Sequence, residues 1–131
     1  MSESLELTTE SVGGVPIVCL RGGLVFGHDL AAVHTLMTSL RNDGHHRVVL
    51  DLNGVQAIDS SGLTALLDAR RTIGGNRGQI MLLHPSQRVR EALAMIRVDS
   101  LFEVIADDAE LLARLGAREP PARTVPRASD G

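Results

Sequence analysis

The chain has 131 residues, a formal net charge of −3, one cysteine, two phenylalanines and neither tryptophan nor tyrosine. That length suits one domain with a core of its own and not two. Without a dense basic run or stacking aromatics a nucleic-acid partner is disfavoured, and without a long uncharged apolar run neither a membrane span nor a membrane partner is expected.

The N-terminus lacks the basic-then-apolar pattern of a signal peptide. Cys19 cannot form an internal disulfide, which fits a reducing cytoplasm, the expected location. It sits in the apolar run Val15 to Leu20 and reads as a small buried hydrophobe.

In chain order, Leu5 to Glu10 alternates apolar and polar residues and predicts an edge-like strand. Gly13-Gly14 is a turn signal, and 17–21 reads as a second strand ended by Gly22-Gly23, so the two form a hairpin. Asp29 reads as a helix cap. Leu30, Val33, Leu36, Met37 and Leu40 then follow at spacings of three and four, predicting an amphipathic helix over 30–42 that Asn42-Asp43-Gly44 ends. A third strand is expected at 47–52 and a second helix at about 61–73, stopped by Gly74-Gly75-Asn76. Gln79 to His84 reads as a buried fourth strand, and Pro85-Ser86 opens a third helix whose apolar face carries Val89, Ala92, Leu93 and Ile96. A short strand over Leu101 to Ile105 precedes a last helix that Asp107 caps, Leu111, Leu112 and Leu115 face inward, and Gly116 stops it. Residues 117–131 hold three prolines and no apolar period, so the expected division is a domain at 1–116 and a flexible tail at 117–131.

The order β-β-α-β-α-β-α-β-α predicts an α/β domain: a mixed, mostly parallel sheet of about five strands, with about four helices mainly on one face.

One short stretch stands out. Ile58-Asp59-Ser60-Ser61-Gly62 lies between an apolar strand and an amphipathic helix. Asp59 or Ser60 is placed to cap that helix, whose unpaired N–H groups and positive dipole end favour an anion. A phosphate on Ser60 would therefore not break the helix, yet would add about −1.5 to −2 charge at an exposed corner. The plainer reading is a pair of capping serines. On the helix, Thr64, Asp68 and Arg71 are candidate partner contacts, although Arg70, Arg71 and Asp68 also read as a solvated charged face.

Other chemistries fit less well. The elbow of a serine hydrolase needs Gly-x-Ser-x-Gly, but Ile58 stands two positions before Ser60, and His84 is the best-placed candidate base. His45-His46 lacks the spaced ligands of a metal site, so no metal is expected. The loop Gly74-Gly75-Asn76-Arg77-Gly78 follows a helix and lacks the ending of a phosphate cradle, so no ATP or other cofactor is expected here. Any phosphorylation would be the work of another protein, and no catalytic residue is assigned.

The run from Val48 to Leu63, with Asp51-Leu52 and Asp59-Ser60-Ser61-Gly62, closely resembles the signature of STAS domains, the anti-sigma factor antagonist family. Leu20 to Leu24, Leu82 to Ser86 with Val89 and Leu93, and Leu101-Phe102 are similar to flanking family segments, so the resemblance spans about residues 5–115. It implies a non-enzymatic protein. Unmodified, such a protein binds an anti-sigma factor that is also a serine kinase of the histidine-kinase-like ATPase fold, and so frees a sigma factor. The kinase phosphorylates the first serine of the motif, here Ser60 (Ser61 being the alternative), and a serine phosphatase resets it. Asp59 and Gly62 would support the phosphosite, and Ser60 and Ser61 would join Thr64, Asp68 and Arg71 in the partner contact. Many phosphorylated members carry an aspartate where this chain has Val25; the Leu24-Val25-Phe26 form is closer to STAS modules of anion transporters and some signalling scaffolds, which makes a scaffold or interaction subunit of a signalling or lipid-transport complex the second reading. A phosphorylation-independent scaffold is therefore the alternative expectation.

Overall fold

A computed structural model describes residues 5–74, 79–98 and 101–115. The elements are β1 (Leu5–Val12), β2 (Val15–Leu24), α1 (Leu30–Asn42), β3 (Arg47–Ile58), α2 (Ser60–Gly74), β4 (Gln79–Leu83), α3 (Gln87–Met95), β5 (Glu103–Ile105) and α4 (Asp108–Leu115). They form one five-stranded sheet in the order β1-β2-β3-β4-β5, with β1 antiparallel to β2 and every other pair parallel. The β1–β2 hairpin closes through Gly13 and Gly14, both at positive φ, the conformation that tight two-residue hairpin turns require.

Each strand sends alternate residues to opposite faces. Val18, Leu20, Val48, Leu50, Ile80 and Leu82 join one cluster, which Val33 and Met37 of α1, Leu63, Leu66, Ala69 and Ile73 of α2, and Val89 and Leu93 of α3 complete. Their neighbours Ile17, Val49, Met81 and Leu83 join a second cluster with Leu111 of α4. Three helices thus share one face and α4 covers part of the other, in agreement with the expected single α/β domain with helices mainly on one side.

The two central strands are longer than their sequences suggest. β2 runs through Gly22-Gly23 to Leu24 instead of ending there, and β3 continues past residue 52 to Ile58. The reason is mutual pairing: Arg21 lies opposite Gly54, Gly22 opposite Val55, Gly23 opposite Ala57 and Leu24 opposite Ile58, with register shifts after Cys19 and after Gly22. A side chain at Gly54 would come within 3.1 Å of the Leu20 carbonyl, so this glycine permits a close strand approach and does not mark a turn.

Asp29 caps α1 by accepting from the Ala32 N–H at 3.2 Å, and Ser86 caps α3 by accepting from Val89 at 3.2 Å. Asp107 accepts from the Glu110 N–H at 2.9 Å at the start of α4. Ile96 does not belong to the inward face of α3. The helix ends at Met95, Arg97 adopts φ 62, and the chain turns so that Val98 packs on the core while Ile96 is left 45% exposed. The strand expected from Leu101 begins only at Glu103. The Gly75-Asn76 stop, Gly116 and the tail lie outside the described residues.

Candidate functional site

The shared length of β2 and β3 decides where the site lies. Because Leu24 and Ile58 pair as the two strands end, the loop after β2 and the start of α2 emerge side by side. Asp59 joins them. Its amide donates to the Leu24 carbonyl at 3.2 Å, and one carboxylate oxygen accepts from the Phe26 amide at 3.0 Å. The other oxygen accepts from the Gly62 amide at 3.1 Å. Of the two candidate caps, Asp59 therefore holds the first turn, and Ser60 is the first helical residue. The Phe26 amide and then the Gly62 amide stabilise the carboxylate and hold its pKa below the ordinary value.

Gly62 is set by contact. A Cβ there would lie 1.9 Å from the Leu24 carbonyl oxygen and 2.7 Å from the Leu24 side chain. Only a residue without a side chain lets α2 start this close to the end of β2.

With its neighbours so engaged, Ser60 is exposed and Ser61 is half-buried. The Thr64 hydroxyl donates to the Ser60 carbonyl at 2.9 Å, a bond within the first turn of the helix. Ser61, Thr64 and Asp68 share a shallow groove of about 230 Å³ with Leu30 and His34 of α1. Arg71 is exposed and pairs with Asp68 at 3.1 Å, one turn further along α2. Arg70 departs from the expected solvated face: it is half-buried, and its Nε donates to the Leu101 carbonyl at 2.8 Å, tying α2 to the segment before β5.

The loop before α1 belongs to the same corner. Val25 is half-buried, and its carbonyl accepts from the His28 amide at 3.1 Å. The His28 ring lies over Gly23, with Nδ1 2.9 Å from the Gly23 carbonyl, a contact that a donating Nδ1–H satisfies. Asp29 sits after this loop as the α1 cap. Phe26 is 82% exposed at the loop's outer edge. The sequence points to Phe26 only through the rarity of aromatics in the chain; nothing in it signals that Asp59 holds the Phe26 amide or that His28 braces the loop.

The other candidates lie apart from this arrangement. His84 directly follows β4 at φ 56, with Nε2 3.5 Å from the Asp108 carboxylate of α4. His45 and His46 lie between α1 and β3. Among the described residues no group of three or more histidine, cysteine or acidic side chains is arranged to hold a metal ion. No described helix is long and apolar enough to cross a membrane.

Together these features define a small α/β domain that presents a serine at a capped helix start. The family model of the STAS domain matches residues 6–111. The chain belongs to the STAS domain family. Protein BtrV of Bordetella bronchiseptica, whose name assigns it to the anti-sigma factor antagonists, is 28% identical over 100 residues, which cover 76% of this chain and 85% of that protein. An anti-sigma factor antagonist from Mycobacterium paratuberculosis has the same fold, with TM-score 0.72 and 21% identity over 86% of this chain and 96% of its own. The Bacillus cell fate determinant SpoIIAA in its phosphorylated form matches with TM-score 0.67 and 19% identity over 84% of this chain and 99% of its own. Relatives and structural neighbours named as anti-sigma factor antagonists thus share this domain.

Proposed function

We propose that this protein is an anti-sigma factor antagonist switched by phosphorylation of Ser60. The observation that carries the reading is the exposed hydroxyl-bearing residue at the first position of α2, flanked by a cap, Asp59, that is itself already an anion. In the unmodified state the corner formed by Ser60, Ser61, Thr64, Asp68 and Arg71 docks on an anti-sigma factor that is also a serine kinase of the histidine-kinase-like ATPase fold, and the sigma factor is released. The kinase transfers the γ-phosphoryl group of its ATP to the Ser60 oxygen, the hydroxyl proton departs and ADP is left. A serine phosphatase later hydrolyses the ester.

The switch works through charge. A phosphate brings about −1.5 to −2 beside the Asp59 carboxylate, so the docking corner becomes strongly anionic where the partner had met a neutral hydroxyl. Desolvating that charge at an interface is costly, and binding is lost. The fold need not change, because the modified residue lies outside the core. The names of the relatives support this reading, as does the occurrence of a phosphorylated form of a protein with this fold.

The test is a capture from extract of the source cell with wild type and Ser60→Asp as paired baits, read by mass spectrometry. A kinase of the ATPase type recovered by wild type alone is the expected result. Recovery of the same assembly by both baits would instead favour the phosphorylation-independent scaffold, the reading to which the Val25-Phe26 loop points.

A further inference from the structure

The described residues include four exposed large hydrophobics, of which Phe26 is 82% exposed. It is also one of only two aromatic residues in the chain; the other, Phe102, is in the core. A single exposed apolar side chain is ordinary by itself. Phe26 is set apart by which residue holds its backbone, the one that precedes Ser60. Its own amide is fixed by the Asp59 carboxylate at 3.0 Å, and the loop on either side is closed by the His28 amide on Val25 at 3.1 Å and the His28 ring on Gly23 at 2.9 Å. A loop with three such ties is ordered around a side chain that contributes little to the core. Ordering the loop in advance removes part of the conformational cost that a binding partner would otherwise meet.

The position of the tie names the partner. Asp59 immediately precedes Ser60, and its two oxygens reach Phe26 on one side and Gly62 on the other. An enzyme that closes over the Ser60 hydroxyl must also cover the loop bonded to its neighbour. We infer that Phe26 is the apolar anchor by which the serine kinase acting on Ser60 grips this protein, and that the kinase carries an apolar socket beside its phosphoryl-transfer site. This rests on the switch proposed above and adds the contact that makes it specific. Buried aromatic anchors of this kind dominate binding energy at the centre of interfaces, while surrounding polar contacts contribute mainly by excluding water. Val25 at the preceding position fits the same division: the loop contributes apolar contact, and the anionic signal is left to Ser60.

The experiment uses the full chain and the kinase recovered by the wild-type bait. Phe26→Ser is expected to weaken kinase binding by about thirtyfold or more and to slow phosphorylation of Ser60, while Phe26→Leu retains most of both. Phe26→p-benzoylphenylalanine, irradiated in the source cell, is expected to cross-link to that kinase. If Phe26→Ser binds within about threefold of wild type while Ser60→Asp does not bind, the anchor is wrong and the switch stands. Cross-linking only to a second copy of this chain, or to a protein without an ATPase fold, overturns the anchor as well. If wild type recovers no such kinase, the switch itself fails and the anchor falls with it.

Discussion

The amide of Phe26 donates to the carboxylate of Asp59 across 3.0 Å, although the two residues are 33 positions apart. This bond joins the loop that follows β2 to the start of α2, and it makes Asp59 more than a helix cap. One oxygen serves the helix and the other serves the loop, so the serine and the exposed phenylalanine are displayed from one rigid corner.

The charge of Asp59 gives this corner a pH dependence. Its carboxyl is held below the ordinary value of 3.8 by the Phe26 and Gly62 amides. A depressed native pKa means that the unfolded state binds the proton more readily, so the stabilisation is complete above 3.8 and disappears as pH falls through the lowered native value. Wild type should therefore be more stable than Asp59→Ala at neutral pH. The difference should shrink only in the acid range below 3.8, as read by urea unfolding at a series of pH values.

Gly62→Ala tests the close approach of α2 to β2. With a Cβ placed 1.9 Å from the Leu24 carbonyl, the helix must move, at a cost of about 1–3 kcal/mol by analogy with overpacked cores. Gly74→Ala is the control: the nearest atom to its new Cβ is 3.5 Å away, and stability should stay within about 1 kcal/mol of wild type. Equal losses in denaturant midpoint for the two variants would show that the contact at Gly62 is not the constraint.

His28→Ala removes the ring that lies over Gly23. The loss of one hydrogen bond predicts a stability decrease of about 0.5–1.5 kcal/mol. Hydrogen exchange should report the change chiefly at the amides of Val25 to Asp29, whose loop loses its brace, and leave the β3 amides protected.

Ser60→Asp should leave the fold intact. The residue is exposed at the helix start, so the stability change should be within about 0.5 kcal/mol, with an unaltered far-ultraviolet circular dichroism spectrum. A large loss of structure would mean that any binding defect of this variant reports unfolding and not charge.

The Asp68–Arg71 pair is exposed, and Arg71→Ala should change stability by less than about 1 kcal/mol. If the proposed partner docks on α2, Asp68→Lys should instead alter the association rate, and the effect should fade as salt is raised. Stopped-flow association at low and high ionic strength separates the two contributions.

The order of elements, the limits of α1 and the Asp29 cap are legible along the chain because each depends on local periodicity or on a side chain reaching its own helix. The motif at Asp59 to Gly62 is legible for the same reason, since strand, cap and helix follow one another directly. The inner ends of β2 and β3 are not. Gly22-Gly23 looks like a stop, and the apolar run of β3 ends at residue 52, until each strand is seen to supply the hydrogen bonds and the space the other needs. Ile96 misleads for a related reason: its spacing fits α3, but a left-handed turn at Arg97 directs Val98 to the core instead.

The sequence by itself determined that this is one α/β domain with a serine pair at a helix start, because hydrophobic period and capping chemistry act over a few residues. Only the tertiary structure decided that Asp59 reaches Phe26, that Gly62 must have no side chain, and that α4 packs on the far side of the sheet from the other helices. Those facts depend on which strands pair and in what register, and pairing is a relation between distant segments that no local pattern contains.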